Sequence, residues 1–189
     1  MKCLSIASIK FQTRCLIEWQ LHTITRPSEA SGSKWCEIDF ENKLWTIPAE
    51  RMKKNRIHYI PLTEPALSIL ELLKPMSSHR EFVFPSVKNP RKPMNSSTAN
   101  VAIKRMGFKD KLVAHGLRSL ASTIMNEQGF DSDIIESSLA HIDHNETRKA
   151  YNRAKYIERR REIMEWWSNH ILESSATNLS LSTIELQEP

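Results

Sequence analysis

The chain contains a set of residues that together could act on a phosphate ester. Two arginines could fork the oxygens of a phosphate, a lysine and two histidines could move protons, and a tyrosine could serve as the nucleophile. A phenol has a pKa of about 10, so such a tyrosine needs a base and cationic surroundings to ionise at neutral pH. The candidates are Arg26, Lys53, His115, Arg118, His141 and Tyr151.

Taken one at a time, these residues have ordinary structural explanations. His115 and Arg118 are three positions apart, on one helical face, but such pairs are frequent in helices. His141 follows an apolar dipeptide, which is typical of a structural histidine. Lys53 belongs to a charged run over residues 51–56 that is typical of a solvated hairpin tip. The set and its order therefore carry the functional argument.

The hydrophobic spacing predicts the elements that must position these side chains: a mainly α fold with a small three-stranded antiparallel sheet, of the α+β class. Apolar residues at three- and four-residue intervals predict a helix over residues 6–24, and Pro27 fits the first turn of a short helix that follows. Arg26 then lies at a corner between helices. The strands are predicted at Cys36–Asp39, Leu44–Ile47 and Ile57–Leu62.

After the sheet the chain is predicted to be helical almost to its end. A helix capped by Thr63 is followed by an irregular connection over residues 75–94, which contains four prolines. Residues 1–173 would form one domain, and residues 174–189 a loose tail. The later helices are predicted from Ser96 or Ser97 to Met106, from Ala114 to Gln128, from a cap at Asp131 to about Ala140, from a cap at Asn145 past Tyr151, and over residues 155–172.

The last predicted helix has an apolar face that allows two interpretations. The simpler one is that the face packs on its own domain. The alternative is that the segment after Tyr151 reaches a neighbouring subunit. The face consists of Ile157, Ile163, Met164, Trp167 and Ile171, beside the basic run over residues 159–161.

Charge is distributed unevenly along the 189 residues. Residues 1–120 contain 20 basic and 10 acidic side chains, whereas residues 121–189 contain 7 and 12. A basic region of this size points to a polyanionic partner such as nucleic acid. A hydrophobic fraction of 40%, with only four glycines and nine prolines, excludes a disordered or fibrous chain.

Other function classes are excluded by what the sequence lacks. No apolar run is long enough to cross a membrane, and residues 1–10 contain no convincing signal-peptide cleavage site. Three cysteines without CxxC spacing suit a reducing cytosol and argue against a disulfide scaffold or a zinc site. No acidic pair, acidic triad or Walker loop has the spacing that holds a divalent metal or a nucleotide, so neither cofactor is expected.

Five motifs resemble the catalytic boxes of the tyrosine recombinases, or phage integrases. The resemblance covers about residues 10–170 and implies the catalytic-domain fold of that family. It is closest to the integrases of satellite phages and genomic islands, which share the stretch over residues 47–53 and the paired tryptophans at 166–167. The motifs are Thr25-Arg26-Pro27-Ser28-Glu29, the hairpin lysine in Ala49-Glu50-Arg51-Met52-Lys53, His115-Gly116-Leu117-Arg118, Leu139-Ala140-His141 and Ala150-Tyr151-Asn152-Arg153.

The resemblance implies how these residues would break DNA. Tyr151 would attack the scissile phosphate and leave a 3′-phosphotyrosine and a free 5′-hydroxyl. Arg26 and Arg118 would hold the non-bridging oxygens, where guanidinium forks stabilise the charge of the transition state. Lys53 would protonate the departing 5′ oxygen. Because the phosphotyrosine stores the energy of the broken linkage, rejoining would need no ATP.

The resemblance also implies supporting roles for other residues. His115 would act on the tyrosine proton, and His141 would hydrogen-bond the phosphate. Glu29, one turn after the first arginine, would orient that arginine. Basic residues of the hairpin tip would contact DNA, namely Arg51, Lys54 and Arg56.

The sequence departs from the family pattern in two places. The family has a glycine shortly before the first arginine, where this chain reads Leu-His-Thr-Ile-Thr over residues 21–25. The amino-terminal domain that grips the other face of the DNA is expected to be absent, since the catalytic motifs begin close to Met1. Half a clamp is expected to bind DNA weakly and to lose affinity steeply with salt.

The expected function is therefore site-specific DNA strand exchange, for integration or excision of a prophage or genomic island. Two alternatives stay open: nicking and resealing of the type IB topoisomerase kind, and an inactive DNA-binding prophage remnant. The expected partners are double-stranded DNA, a homotetramer at synapsis that exchanges carboxy-terminal segments, and DNA-bending or directionality proteins. The expected location is the nucleoid in the bacterial cytoplasm, with no membrane partner.

Overall fold

The computed structural model of the chain describes residues 9–140 and 153–175. Within these ranges, seven α-helices accompany one three-stranded sheet, which confirms the predicted mainly α fold with a small antiparallel sheet. The helix predicted after Asn145 lies outside the described residues. In chain order the elements are α1 (Phe11–Thr23), α2 (Pro27–Ser31), β1 (Ile38–Asp39), β2 (Leu44–Ile47), β3 (His58–Pro61), α3 (Glu64–Ser77), α4 (Thr98–Ile103), α5 (Gly116–Glu127), α6 (Ser132–Ser138) and α7 (Arg153–Ser174).

The sheet is the predicted antiparallel meander, in the order β1-β2-β3. Trp45 lies in the middle strand with its side chain fully buried. The first strand is shorter than predicted because Trp35–Glu37 form a 3₁₀ turn. The Glu37 carboxylate holds this turn, since it accepts from the Lys34 backbone N–H at 3.2 Å and from Trp45 Nε1 at 3.0 Å.

Helix α1 packs against α3, α4, α5 and α7. Trp19 from α1 packs on Trp45 of the sheet, with ring centroids 5.0 Å apart. Polar side chains of α1 are buried as well, and Gln20 Nε2 donates to the Ala114 carbonyl at 2.8 Å. Because α1 packs against several other helices, its carboxyl end is held in place, and the corner that contains Arg26 begins there.

Several helix boundaries differ from the prediction, and two of the differences have a clear structural reason. Helix α1 begins at Phe11, because Lys10 is extended and serves as the N-cap, and residues 6–8 of the predicted helix lie outside the described residues. Helix α3 continues through Pro75 to Ser77, although the connection was predicted to begin at the proline. A proline removes one amide donor from the helix. The last turn is secured instead by Ser77 Oγ, which donates to the Val83 carbonyl at 2.8 Å.

The apolar face of α7 packs on its own domain, as in the simpler of the two interpretations. Helix α7 contacts α1, α5, α6 and β3. Trp167 Nε1 donates to the Leu21 carbonyl at 2.8 Å. The residues of this face that are buried are Ile163, Met164, Trp167 and Ile171.

None of the helices in the described ranges combines the length and apolar character needed to cross a membrane.

A buried hydrogen-bonded chain joins α1, α7 and the residue before α3. His22 Nδ1 lies 3.0 Å from Ser168 Oγ, which in turn lies 2.8 Å from Thr63 Oγ1. All three side chains are buried, and His22 Nε2 has no hydrogen-bond partner in the described part of the chain. Burial lowers the pKa of His22 to about 4. The ring is therefore neutral in the folded protein at neutral pH.

His22 is expected to make the free energy of unfolding depend on pH between about 4 and 6.5, its folded and ordinary pKa values. In this window the unfolded chain binds more protons than the folded one, so stability rises with pH and is complete above the window. The shift corresponds to about 3 kcal/mol lost as the pH falls through the window. Urea unfolding titrations at a series of pH values measure this dependence. The free energy of unfolding should rise less steeply with pH in His22→Gln than in the wild type. An equally steep rise in both proteins would show that His22 does not cause the pH dependence.

Candidate active site

Arg26 lies at the corner between α1 and α2, where Pro27 begins the second helix. Its Nη1 donates to Glu29 Oε1 at 2.8 Å, and its backbone N–H donates to Glu29 Oε2 at 2.8 Å. Glu29 is 3% exposed, so both oxygens of a buried carboxylate fix one arginine. The structure thus shows the contact that the orienting role of Glu29 requires.

Arg118 lies in the first turn of α5 and is 4% exposed. Its Nη1 donates to the Ile24 carbonyl, just after α1, and its Nη2 donates to the Leu139 carbonyl, just after α6. Ile24 is two positions from Arg26. The guanidinium of Arg118 therefore ties the Arg26 corner to the end of α6.

The two arginines lie close enough for their charges to interact. Burial and the neighbouring charge of Arg26 lower the pKa of Arg118 to about 10, while Glu29 and Glu136 act in the opposite direction. A guanidinium with this pKa stays charged at neutral pH. Because protein acceptors already fix both arginines, the pair forms a preorganised site for an oxyanion such as phosphate.

His115 immediately precedes α5, one turn from Arg118, and its side chain is exposed. Its carbonyl accepts the Arg118 backbone N–H at 3.2 Å. The histidine is therefore placed beside the arginine and open to a substrate arriving from solvent.

Lys53 lies in the connection between β2 and β3, whose tip is exposed over residues 53–57. Lys54 and Arg56, which were predicted to contact DNA, are exposed with it. Arg51, also predicted to contact DNA, is instead half-buried and directed inward. Its Nη2 donates to the Glu29 carbonyl at 3.0 Å, and its Nη1 pairs with the carboxylate of Glu37. Arg51 thus anchors the base of the tip to the helix that holds the first arginine.

His141 and Tyr151 lie outside the described residues. The first described range ends at Ala140, which has a left-handed φ of 53°. The second begins at Arg153, the first residue of α7. Tyr151 therefore precedes a packed helix by two positions.

Two buried groups beside the arginine pair were not predicted as part of the site. His58, the first residue of β3, is 7% exposed and lies close to the backbone of Ser138. Burial, then the charges of Arg160, Arg118 and Arg26, hold the pKa of His58 well below its ordinary value. Arg160, which reaches this region from α7, is buried as well.

The sequence does contain a signal for each of these groups. His58 alternates with the buried Ile60 along β3, so a period of two places both side chains on the core face. Arg160 is three positions from both Ile157 and Ile163, which places it on the apolar face of α7 and not among solvated charges.

The cations that protein acceptors hold in place in the described part of the site are guanidinium groups. In residues 9–140 and 153–175, no group of three or more His, Cys, Asp or Glu side chains is arranged to hold a metal ion.

Comparison with known proteins identifies the family. The pattern of the phage integrase family matches residues 1–158. A prophage integrase, IntA of Escherichia coli K12, is 53% identical over 182 residues, which cover 96% of this chain and 44% of that protein. The integrase of Shigella phage Sf6 is 37% identical over 152 residues, which cover 78% and 39%. The integrase of Enterobacteria phage P4 is 32% identical over 192 residues, which cover 93% and 44%. The chain thus spans less than half the length of these relatives.

Solved structures share the fold. The integrase of mycobacterium phage Brujita superposes with a TM-score of 0.69 at 20% identity, over 98% of this chain and 61% of that one. Lambda integrase residues 75–356, in a dimer bound to a COC′ core site, superposes with a TM-score of 0.58 at 21% identity, over 75% and 54%. Since the family pattern covers most of the chain, and IntA is 53% identical over almost all of it, the chain belongs to the phage integrase family of tyrosine recombinases.

Proposed function

We propose that the chain is the catalytic part of a site-specific DNA recombinase that cleaves and rejoins strands through a 3′-phosphotyrosine. The observation that carries this proposal is the fixed arginine pair, in which Arg26 is held by Glu29 and Arg118 by two backbone carbonyls. Two preorganised guanidinium groups match the two non-bridging oxygens of a phosphodiester and stabilise the charge that builds up on attack.

The remaining candidates would move atoms and protons around that phosphate. The phenolic oxygen of Tyr151 bonds to phosphorus, and the bond from phosphorus to the 5′ oxygen breaks. His115 accepts the phenolic proton, and Lys53 donates a proton to the departing 5′ oxygen. His141 donates a hydrogen bond to the phosphate. The exposed positions of His115 and Lys53 are compatible with these roles.

Rejoining is the reverse reaction on a different strand. A 5′-hydroxyl attacks phosphorus, the bond to the tyrosine oxygen breaks, and the phenol recovers its proton. One phosphodiester replaces another, so no nucleotide is consumed. Exchange between two duplexes follows when the attacking hydroxyl belongs to the partner strand.

The proposal extends to the biological setting. Residues 1–173 would be the catalytic domain and residues 174–189 a tail, and the exposed Lys54 and Arg56 would contact double-stranded DNA. Relatives named prophage integrases support a role in integrating or excising a prophage or genomic island, at the nucleoid in the bacterial cytoplasm. DNA-bending or directionality proteins would take part.

A homotetramer at synapsis would couple the active sites by exchanging carboxy-terminal segments. Helix α7 buries its apolar face on its own domain as far as Ile171. The exchanged segment would therefore begin after Ser174, where α7 ends.

The test is a covalent trap. A duplex containing the junction sequence that flanks the element encoding the chain is nicked just 3′ of the cleavage point, so that the short 5′-hydroxyl fragment diffuses away. The 189-residue chain is incubated with this duplex in EDTA at low salt, where phosphate contacts are strongest. We expect a band resistant to SDS, with the 5′-labelled strand attached to a peptide containing Tyr151. The absence of an adduct, or attachment through another residue, would contradict the mechanism.

The same reaction separates the two alternatives. Adding a second duplex with a free 5′-hydroxyl should give a joined strand, as recombination requires. Relaxation of a supercoiled plasmid without joining would favour a topoisomerase, and DNA binding without an adduct would favour an inactive remnant.

A further inference from the structure

Arg51 connects the chain before the exposed tip to the helix that follows Arg26. It ends the 3₁₀ turn Ala49–Arg51, and its side chain is directed inward. Its Nη2 donates to the Glu29 carbonyl at 3.0 Å, and its Nη1 pairs with both carboxylate oxygens of Glu37. The carboxylate of Glu29 in turn holds Arg26. One residue of α2 therefore contacts the first arginine with its side chain and Arg51 with its backbone.

Glu37 restrains the guanidinium of Arg51 from the side of the sheet. The side chain of Arg51 is 17% exposed, and that of Glu37 is 6% exposed. The Glu37 carboxylate also accepts from Trp45 Nε1 at 3.0 Å and from the Lys34 backbone N–H at 3.2 Å. Charge-assisted hydrogen bonds of this kind are short and directional. The guanidinium is therefore held in one place, between the sheet and α2.

Gly32 leaves open the space that this guanidinium occupies. A Cβ atom at Gly32 would lie 2.7 Å from Arg51 Nη2 and 3.0 Å from the Ser28 carbonyl oxygen. The first distance is well inside the contact distance of two non-bonded atoms. Gly32 has a φ of −91°, which any residue can adopt, so its backbone conformation does not require glycine. A side chain at position 32 would displace the guanidinium from the Glu29 carbonyl.

The backbone carries the position of Arg51 to Lys53. Met52 is 8% exposed and packs in the core, and its amide donates to the Ala49 carbonyl at 3.0 Å. The Met52 carbonyl accepts the Asn55 amide at 2.9 Å, which closes a turn with Lys53 at its second position. Consecutive Cα atoms are about 3.8 Å apart, so the Cα of Lys53 lies within about 7.6 Å of that of Arg51. Lys53 is thus the first exposed residue after a fixed segment.

We propose that Arg51 is a positioning residue that fixes Lys53 relative to Arg26, so that the lysine meets the 5′ oxygen of the phosphodiester that Arg26 binds. This inference rests on the proposed recombinase function, in which Lys53 protonates that oxygen. Arg51 touches neither the DNA nor the reacting atoms. The sequence predicted that Arg51 contacts DNA, and its inward direction assigns it the positioning role instead.

Two variants remove the contact between Arg51 and Glu29 from opposite sides. Arg51→Lys keeps a positive charge beside Glu37, but one flexible ammonium group cannot hold the Glu37 carboxylate and the Glu29 carbonyl together. Gly32→Ala leaves every charge in place and displaces the guanidinium from the side of α2.

Another arginine that binds backbone carbonyls provides a matched control. Arg161 from α7 donates to the Asn42 and Lys43 carbonyls at 3.2 and 3.3 Å. It therefore holds the turn between β1 and β2, in the same sheet as the connection that carries Lys53. Arg161→Lys makes the same chemical change as Arg51→Lys without touching the tip.

The first measurement follows the turn around Lys53 by hydrogen exchange. In Arg51→Lys, the amides of Met52 and Asn55 are expected to exchange at least about fivefold faster than in the wild type, because the segment opens more often. Arg161→Lys should leave both amides unchanged. Unchanged exchange in Arg51→Lys would overturn the proposal, whatever the enzyme does. Gly32→Ala decides in its place if Arg51→Lys does not fold.

The second measurement tests whether the effect passes through Lys53. The nicked duplex of the covalent trap is used with its ordinary linkage, and again with sulfur in place of the 5′ oxygen that leaves. When the tyrosine oxygen bonds to phosphorus, the electron pair of the phosphorus–sulfur bond leaves with sulfur as a thiolate. A thiol has a pKa of about 8.5, so this leaving group needs no proton from Lys53.

Arg51→Lys is expected to form the adduct about tenfold more slowly than the wild type on the ordinary duplex, as a misplaced general acid would. On the sulfur duplex its single-turnover rate should be within about twofold of wild type. An equal defect on both duplexes would overturn the positioning role, because a disturbed Arg26 or a damaged fold slows both reactions. The Kd for the duplex should stay within about twofold. A larger loss of affinity with a weaker salt dependence would return Arg51 to the DNA contacts and overturn the proposal.

Lys53→Ala separates failure of this inference from failure of the proposed function. It should be slow on the ordinary duplex and recover on the sulfur duplex. If Lys53→Ala recovers and Arg51→Lys does not, the positioning role is wrong and the function stands. If Lys53→Ala fails to recover, or the wild type forms no adduct, the proposed role of Lys53 or the proposed function fails. Hydrogen exchange at Met52 and Asn55 then decides alone whether Arg51 fixes the turn.

Discussion

Tyr151→Phe is expected to abolish the covalent adduct with the nicked duplex, because no other group in the reaction supplies the attacking oxygen. The chain has only three tyrosines, so the assignment can be tested completely. No adduct should be detected at any pH, since phenylalanine has no hydroxyl group that could ionise. DNA binding should persist, because the change leaves the arginines and lysines proposed to contact phosphates in place.

The other two tyrosines are the matched controls. Tyr156 is the nearer alternative in sequence, but its hydroxyl donates to the Asp133 carbonyl at 3.1 Å and so has a structural partner. Tyr59 lies within β3. Phenylalanine at either position should leave the yield of adduct within about twofold of wild type. Loss of the adduct in Tyr156→Phe, with retention in Tyr151→Phe, would reassign the nucleophile and keep the rest of the mechanism.

Arg118→Lys is expected to slow adduct formation about 10²- to 10³-fold, as does the loss of a preorganised charge-stabilising donor in other enzymes. Arg118 reaches the Ile24 and Leu139 carbonyls with separate nitrogens. A lysine has one nitrogen at the end of a flexible chain, so it cannot bridge both carbonyls and also face a phosphate. The change removes a connection within the protein together with the proposed contact to the phosphate.

The rate of adduct formation by Arg118→Lys should depend on pH, because the new lysine would be buried. At this position burial and Arg26 already lower the pKa of the arginine to about 10. The same surroundings would lower the pKa of a lysine from a smaller starting value, so its residual rate should fall as the pH rises through the neutral range. Wild type should keep its positive charge there. Single-turnover rates from pH 6 to 9 measure this difference.

A matched arginine-to-lysine change on the surface serves as the control for Arg118→Lys. Arg159→Lys alters a surface ion pair with Asp131, where both partners are about half exposed. Such pairs contribute little, so adduct formation should stay within about twofold of wild type. Near-normal cleavage by Arg118→Lys would remove Arg118 from the site.

The elements that carry the candidate residues were predictable because their signals are local. Short β-prone runs and a tight turn predict the strands around Trp45, and Pro27 predicts the first turn of a short helix. The proline at 75 was misleading because its effect depends on Ser77 and Val83, which meet only in the folded protein. Likewise, the 3₁₀ turn before β1 depends on Glu37 contacting Trp45 and Arg51, and no local rule encodes such contacts.

The residues of the candidate site likewise divide into those that the sequence predicted and those that it did not. Motif order identified Arg26, Arg118 and Glu29, and the structure places these side chains in one region. Arg160 was overlooked because it was assigned to a basic run, and His58 because its strand was predicted without asking which side chains are buried. Each nevertheless lies at a position whose spacing is that of a core residue. A polar side chain at an apolar position is a signal for a buried contact, and its partners emerge only from tertiary structure.

The anchoring of the hairpin has an evolutionary consequence. Arg51 fastens the start of the connection, and buried His58 fastens its end, so only residues 53–57 are left exposed between two fixed points. Sequence drift in this short interval does not propagate into the helices behind it. Tips of different length or charge are therefore compatible with the same rigid frame.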